Sequence, residues 1–345
     1  MKVARSLLAA VIVGITVLVA ACGGSGSLGR GGTVTVYSAD GLGAWYFSQF
    51  YKFTQLTGIT VNLVEAGSGD VVSRAEKEQS NPQADLLVTL PPFIQKAEQS
   101  GLLQPAGVDT SGIDPGLIDP GGLFVPIVEN ALSFIANLDA SPQPSSWNDL
   151  LAPQFKGKLQ YSTPGQAGDG TAVLVLLQHL MGKRGALDYL AKLQVNNVGP
   201  ASSTGGLQPK VSNGELLVAN GDVQMNLGSL RNYGSKFNIF FPAMPDNSRT
   251  TVSLPYFAGL IKGAPQRDRA RKLLAFLISD DVQNTVGPEA FGISVNESIA
   301  ESSMLTDPKG PAALLSGVQV WVPDWTAVLS DLDADIAAYQ KAIGS

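Results

Sequence analysis

The sequence contains one cysteine and one histidine in 345 residues, and only 15% of its residues are charged. A lone cysteine excludes an intrachain disulfide, and no spacing of His, Cys, Asp and Glu reads as a zinc site. His179 lies within an apolar run and reads as a core histidine, not a catalytic base. The G-x-S-x-G elbow is missing, since Gly67-Ser68-Gly69 lacks its spacing. The G-x-x-x-x-G-K-[ST] phosphate loop is missing too. Asp280-Asp281 reads as a solvated pair at a helix end. No basic run interrupts the chain, and the formal net charge is −6, which argues against nucleic acid as a partner. The longest apolar run, Leu7–Ala21, is about 15 residues, short of the ~20 that span a bilayer.

That run is informative in another way. Lys2 and Arg5 precede it, and Val19-Ala20-Ala21-Cys22 ends it. A basic start, a short apolar core and small residues before a cut are a secretion signal. The ending resembles the lipobox of bacterial lipoproteins, which makes Cys22 the lipidated first residue of the mature chain. Val19 departs mildly from the usual Leu. Residues 1–21 are thus expected to be a signal peptide and 22–32, rich in Gly and Ser, a flexible tether. Losing Lys2 and Arg5 takes the formal charge from −6 to −8, so an anion site would depend on local donors.

From Thr33 onward the pattern is βαβαβα. Thr33–Tyr37 alternates as a strand, and Gly43–Leu56 reads as a helix with Trp45, Phe47, Phe50, Tyr51 and Phe53 largely on its buried side. Strand Ile59–Glu65, helix Val71–Gln79, strand Ala84–Val88 and helix Phe93–Ser100 follow. This rhythm implies a mainly parallel sheet, with ligands beyond the carboxyl ends of its strands. Ser38, Ser68 and Thr89 fall there. Residues 101–122 read as loop, 123–128 and 132–136 as extended, and 147–150 as a short helix. Further on, Gly185–Gln194 and Lys210–Ala219 read as helices, Asp222–Leu227 and Phe237–Phe241 as strands. Leu254–Lys262 reads as a returning strand, Pro265–Ser279 as an amphipathic helix and Asp324–Ile343 as a terminal helix.

The chain is organised around Tyr161–Leu180, YSTPGQAGDGTAVLVLLQHL. A glycine-rich polar loop runs directly into a buried helix that is expected to start at Thr171. Unpaired amides at such a start favour an anion.

With these segments placed, VYSADG, FYKFTQLTGITV, GSGD and PQRDRARKLLAFLISDDVQ resemble the extracytoplasmic solute-binding proteins of ABC importers. The resemblance covers nearly all of residues 33–343. YSTPGQAGDGTAVLVLLQHLMG, GELLVANGDVQMNL, LPYFAGLIKGAP and VWVPDW resemble the 2-aminoethylphosphonate-binding branch. Neighbouring branches take phosphate- or sulfate-type anions, ferric ion, thiamine or polyamines. Ferric-binding relatives carry adjacent tyrosines, where this chain has Gly228-Ser229-Leu230-Arg231-Asn232. A polyamine site needs several carboxylates, and the expected cleft loops hold few.

The resemblance implies an α/β fold of the two-lobed type II periplasmic-binding-protein kind: two mixed sheets flanked by helices and joined by crossover strands. Residues 33–125 and 252–310 would form the first lobe, 126–251 the second, and 311–345 a C-terminal bracing segment. Val125–Pro126 and Leu254–Pro255 are candidate hinges. The expected ligand set is Ser38, Ser68, Gly69 and Thr89 from the first lobe, and Gly168, Gly170 and Thr171 from the second, with Arg231 and Tyr256. Glu129 or Asp169 would hold an ammonium group, although Glu129 reads equally as a surface carboxylate. The implied protein is a monomeric membrane-anchored lipoprotein on the extracytoplasmic face. It would pass a small phosphonate to a permease and its ATPase, with no cofactor, metal or catalysis. A phosphonate-processing enzyme, which would turn its ligand over, is the alternative of a different class.

Overall fold

The computed structural model describes residues 31–344. The expected signal peptide, Cys22 and most of the tether lie outside the described residues. In chain order the elements begin β1 (Thr33–Ala39), α1 (Gly43–Thr57), β2 (Thr60–Ala66), α2 (Ser68–Lys77), β3 (Leu86–Thr89), α3 (Phe93–Gln99), β4 (Leu103–Gln104) and β5 (Phe124–Val128). Then come β6 (Leu132–Asn137), β7 (Leu159–Gln160), α4 (Gly168–Leu193), α5 (Leu207–Ser212), β8 (Val218–Asp222), α6 (Val223–Tyr233), β9 (Phe237–Phe240) and β10 (Thr250–Val252). The chain closes with β11 (Tyr256–Ile261), α7 (Arg267–Leu277), α8 (Asp280–Gln283), α9 (Glu297–Thr306), α10 (Pro311–Leu314), β12 (Gln319–Trp321) and α11 (Trp325–Ile343).

Two sheets carry the molecule. The first has the order β2-β1-β3-β11-β4, with β5 also paired to β11; the second has the order β7-β8-β6-β9. β1, β2 and β3 run parallel, while β11 returns antiparallel to β3, β4 and β5. The chain leaves the first sheet after β5 and comes back at β11. These two crossings lie side by side: Leu254 N donates to Asn130 O at 2.8 Å, and Ala131 bridges Ser253.

Local signals explain most boundaries. Gly58 ends α1 in the left-handed conformation at φ 72°, which costs glycine nothing. Asp324 caps α11, accepting from the amides of Thr326 and Ala327. Ala172–Leu177 of α4 are all buried, as an apolar helix through the middle of a lobe must be. α11 packs on α4 and reaches α3, and Tyr161 and Tyr339 share a hydroxyl contact at 2.9 Å.

Several expectations are corrected. The helix read at Lys210–Ala219 stops at Ser212, and the chain turns at Gly214 with φ 79° before β8. The segment read as a strand from Asp222 is helix α6, because the Asp222 carboxylate accepts from Met225 N at 2.6 Å and caps it. α2 starts at Ser68 and α4 at Gly168, each three residues before the expected start. α4 runs through the segment read as a separate helix from Gly185, with a kink at Gly182 (φ 73°). Within α1, Tyr46 joins the core, while Phe47 and Tyr51 face solvent, 81% and 63% exposed. His179 is exposed, not in the core, and stacks on Trp321 at 3.9 Å between ring centres.

Candidate functional site

The carboxyl ends of β1 and β3 and the start of α2 face the loop after β7, the segment between α4 and α5, and the start of α6. The two sides touch. Ser203 Oγ and Gly205 N, from the second lobe, donate to Asp40 Oδ2 of the first at 2.7 and 2.6 Å. Gly69 N donates to Gln166 O at 2.8 Å, and Gln224 Nε2 donates to Gly41 O at 3.1 Å. Tyr256 at the start of β11 donates its hydroxyl to Asp40 O at 2.9 Å and lies 3.4 Å from Asp222 Oδ2. The lobes are therefore closed on one another.

Three carboxyls meet in this seam: Asp40, Asp169 and Asp222. Asp169 is 2% exposed and Asp222 fully buried. The Oδ1 atom of Asp169 has no hydrogen-bond partner. Among the described residues, no ion pair includes any of the three. Burial, and then the Asp222 charge, push the Asp169 carboxyl well above the usual carboxylate range. Burial is also the largest cause raising Asp222 and Asp40. The sequence reading expected few acids in these loops; the fold assembles three from segments far apart in the chain.

Small polar groups surround the carboxyls. Asn220 Oδ1 accepts from Ser162 N at 2.8 Å, and Thr204 Oγ1 donates to Ser162 Oγ at 3.0 Å, beside Asp169. In the first lobe Ser38 Oγ donates to Ala39 O and meets the Tyr46 hydroxyl at 3.2 Å. Thr89 Oγ1 donates to Ser68 O at 3.1 Å. Ser68 is buried at the first residue of α2, whose N-cap is Gly67. The starts of α2 and α4 abut so closely that a methyl group at Gly168 would sit 2.8 Å from Ser68 Oγ.

The structure thus brings together Ser38, Ser68, Gly69, Thr89, Gly168, Asp169, Gly170, Thr171 and Tyr256. The Thr171 hydroxyl is committed within its own loop, donating to Ala167 O and accepting from Gly165 N, both at 2.9 Å. Arg231 is elsewhere: it is exposed on α6 and donates to Lys309 O at 3.1 Å. Glu129 is also elsewhere. Its backbone pairs with Ile293, and it lines a separate cavity of about 410 Å³ with Asp114, Glu297 and Glu301. Sequence reasoning missed Asp40 and Asp222. Their signals, the aspartates in VYSADG and NGDVQMN, were available but carried no mark of convergence.

Burial, with a smaller contribution from Asp114, raises the Glu129 carboxyl to about 7. The unfolded chain releases this proton near its ordinary value of 4.5, so the stabilisation present below that pH is lost as pH climbs toward 7. Glu129→Gln is expected to melt higher than the parent at pH 7.5 and equally at pH 4.5. Thermal melts across that range check this, and parallel curves would refute it.

Residues 34–292 match the family of bacterial extracellular solute-binding proteins. The chain belongs to that family. A curated relative from Salmonella typhimurium, named "Putative 2-aminoethylphosphonate-binding periplasmic protein", is 47% identical to this solute-binding protein over 319 residues, covering 90% of this chain and 93% of the relative. In fold the solute-binding protein is similar to a periplasmic thiamin binding protein (TM-score 0.75, 17% identity, 92% of this chain and 99% of the other). It is also similar to the periplasmic binding protein AfuA from Actinobacillus pleuropneumoniae (TM-score 0.72, 21% identity, 92% and 97%). These likenesses carry the two-lobed α/β architecture. The family is one of transport components, not of enzymes. Among the described residues no helix is long and apolar enough to cross a membrane, and no group of three or more His, Cys, Asp or Glu could hold a metal ion.

Proposed function

We propose that this solute-binding protein captures 2-aminoethylphosphonate between its lobes and delivers it to the permease and ATPase of an ABC importer. The observation that carries the reading is the unpartnered Asp169 Oδ1, buried beside Asp222 with no cation pairing either among the described residues. A buried carboxyl in such a place either keeps its proton or ionises against a positive group brought to it. A ligand ammonium between Asp169 and Asp222 supplies it. The phosphonate then faces the helix starts at Ser68 and Gly168–Gly170, where amides and dipoles favour an anion, while Ser38, Thr89 and the Gly69 amide, bonded to Ala39 O, Ser68 O and Gln166 O, frame the place. Tyr256 closes the cluster from the start of β11. A plain phosphate or sulfate would meet the same seam with charge of the wrong sign. The name and 47% identity of the Salmonella relative support the same ligand.

Hinge motion about the paired crossings at Asn130 and Leu254 opens and closes the cleft. The first lobe comprises roughly residues 33–125 and 252–310, the second 126–251, and 311–345 brace them. The mature protein is a monomer held to the outer face of the cytoplasmic membrane by lipid on Cys22.

Calorimetry with 2-aminoethylphosphonate, ethylphosphonate, phosphate, sulfate, thiamine, spermidine and Fe(III) tests the ligand. 2-Aminoethylphosphonate is expected to bind at least tenfold tighter than the others, with no turnover. Equal or tighter binding of any other would overturn the assignment, and consumption of the phosphonate would make the protein an enzyme.

A further inference from the structure

Asp169 and Asp222 both belong to the second lobe and stay together whether the cleft is open or shut. Asp40 belongs to the first. Closure alone brings it to the other two, and in the closed form its Oδ2 accepts from Ser203 Oγ and Gly205 N across the cleft. Closing therefore gains two hydrogen bonds but sets the Asp40 carboxyl, with Asp70 and Glu65 near it in the first lobe, against Asp169 and Asp222 in a seam where no described ion pair reaches the three. Like charges gathered away from water repel far more than they do in solvent. The unpartnered Asp169 Oδ1, 2% exposed, marks where the compensating charge is missing.

We propose that Asp40 makes closure conditional on the ligand's positive charge: the lobes close over a ligand that carries an ammonium group and stay apart over an anion that lacks one. This rests on the ammonium placement proposed above. It goes further by assigning discrimination to the motion. An amine-free phosphonate can meet the hydroxyls and helix starts, yet it offers nothing that offsets the Asp40 charge, so it does not favour the closed population.

The test uses small-angle scattering and calorimetry at pH 7.5 on the parent, Asp40→Asn and Ser203→Ala. Asparagine keeps an acceptor oxygen for Ser203 and Gly205 and removes the charge. Ligand-free Asp40→Asn is expected to have a smaller radius of gyration than the ligand-free parent, and circular dichroism is expected to show both folded. The parent should contract with 2-aminoethylphosphonate and not with ethylphosphonate. Asp40→Asn should contract with both and bind ethylphosphonate about tenfold tighter or better. Ser203→Ala, which loses one cross-cleft bond but keeps the charge, should not contract without ligand. Equal radii for ligand-free parent and Asp40→Asn, full contraction of the parent on ethylphosphonate, or contraction of ligand-free Ser203→Ala would each overturn the proposal. If the parent binds no 2-aminoethylphosphonate, the ligand assignment falls, and the ligand-free comparison still decides the role of Asp40.

Discussion

Asp169→Asn is expected to weaken 2-aminoethylphosphonate binding by about ten- to a hundredfold while sparing the affinity for ethylphosphonate. The size follows from the bond removed. A charge-assisted hydrogen bond contributes about 1.5–3 kcal/mol, and each 1.4 kcal/mol is about a factor of ten in affinity. The side chain keeps its shape, so packing around the start of α4 is preserved. The variant should also be more stable than the parent without ligand near neutral pH, because the unfolded chain releases this proton in the ordinary carboxylate range while the folded protein still holds it, and parent stability falls as pH rises through that range. The sign of the pH effect follows. Raised carboxyls are protonated at acid pH and cannot pair with an ammonium, so parent affinity should fall as pH is lowered, and the variant's should fall less. Calorimetry at pH 5 and pH 7.5 on both proteins reads these effects together. Unchanged 2-aminoethylphosphonate affinity in Asp169→Asn would place the ammonium elsewhere.

Gly67→Ala is the second large effect, and it acts through the other lobe. Gly67 precedes α2 with φ −61° and ψ 151°, a conformation that alanine adopts without strain. A methyl group there would overlap the Ser202 carbonyl oxygen, which lies across the cleft. With the lobes apart that obstacle is gone. The variant should therefore melt within ~0.5 kcal/mol of the parent in the absence of ligand and bind 2-aminoethylphosphonate at least tenfold more weakly. Gly170→Ala is the contrast, since its methyl would strike the Ser162 carbonyl within its own lobe. That change should lower the unliganded melting temperature. Loss of unliganded stability in Gly67→Ala, with affinity intact, would show that the contact does not depend on closure.

The sequence made the outline of the fold legible because strands and helices alternate with clear periods as far as Ser100, and glycine or proline marks most ends. It was less legible where two signals compete. In Lys210–Leu227 an apolar stretch next to an aspartate can read as strand or as capped helix. Only the pairing of Val218–Asp222 between β6 and β7 decides it. The same ambiguity hid half of the site. Asp169 was visible because it stands in a glycine-rich loop before a buried helix. Asp222 looked like the start of a strand, and Asp40 like a turn residue. Glu129 was chosen for its place beside a crossing, but the alternation of side chains there sends it toward Asp114 while its neighbour Asn130 accepts from Gln224 N at 3.1 Å. Burial was misread on α1 for a related reason: five aromatics cannot all share one helical face, and Phe47 and Tyr51 are the two left outside.

The position of β11 has a consequence for how the protein comes into being. It lies between β3 and the pair β4 and β5 in the first sheet, yet it is made only after the whole second lobe. A growing chain that has not reached Tyr256 holds β3 with an open edge and leaves β4 and β5 with nothing to pair to. The first lobe thus cannot be finished as it emerges. Its completion waits for a distant segment, the kind of long-range pairing that makes folding slow. The second sheet, by contrast, has all four of its strands before Tyr256, so the lobe made later along the chain is the one that can be completed first.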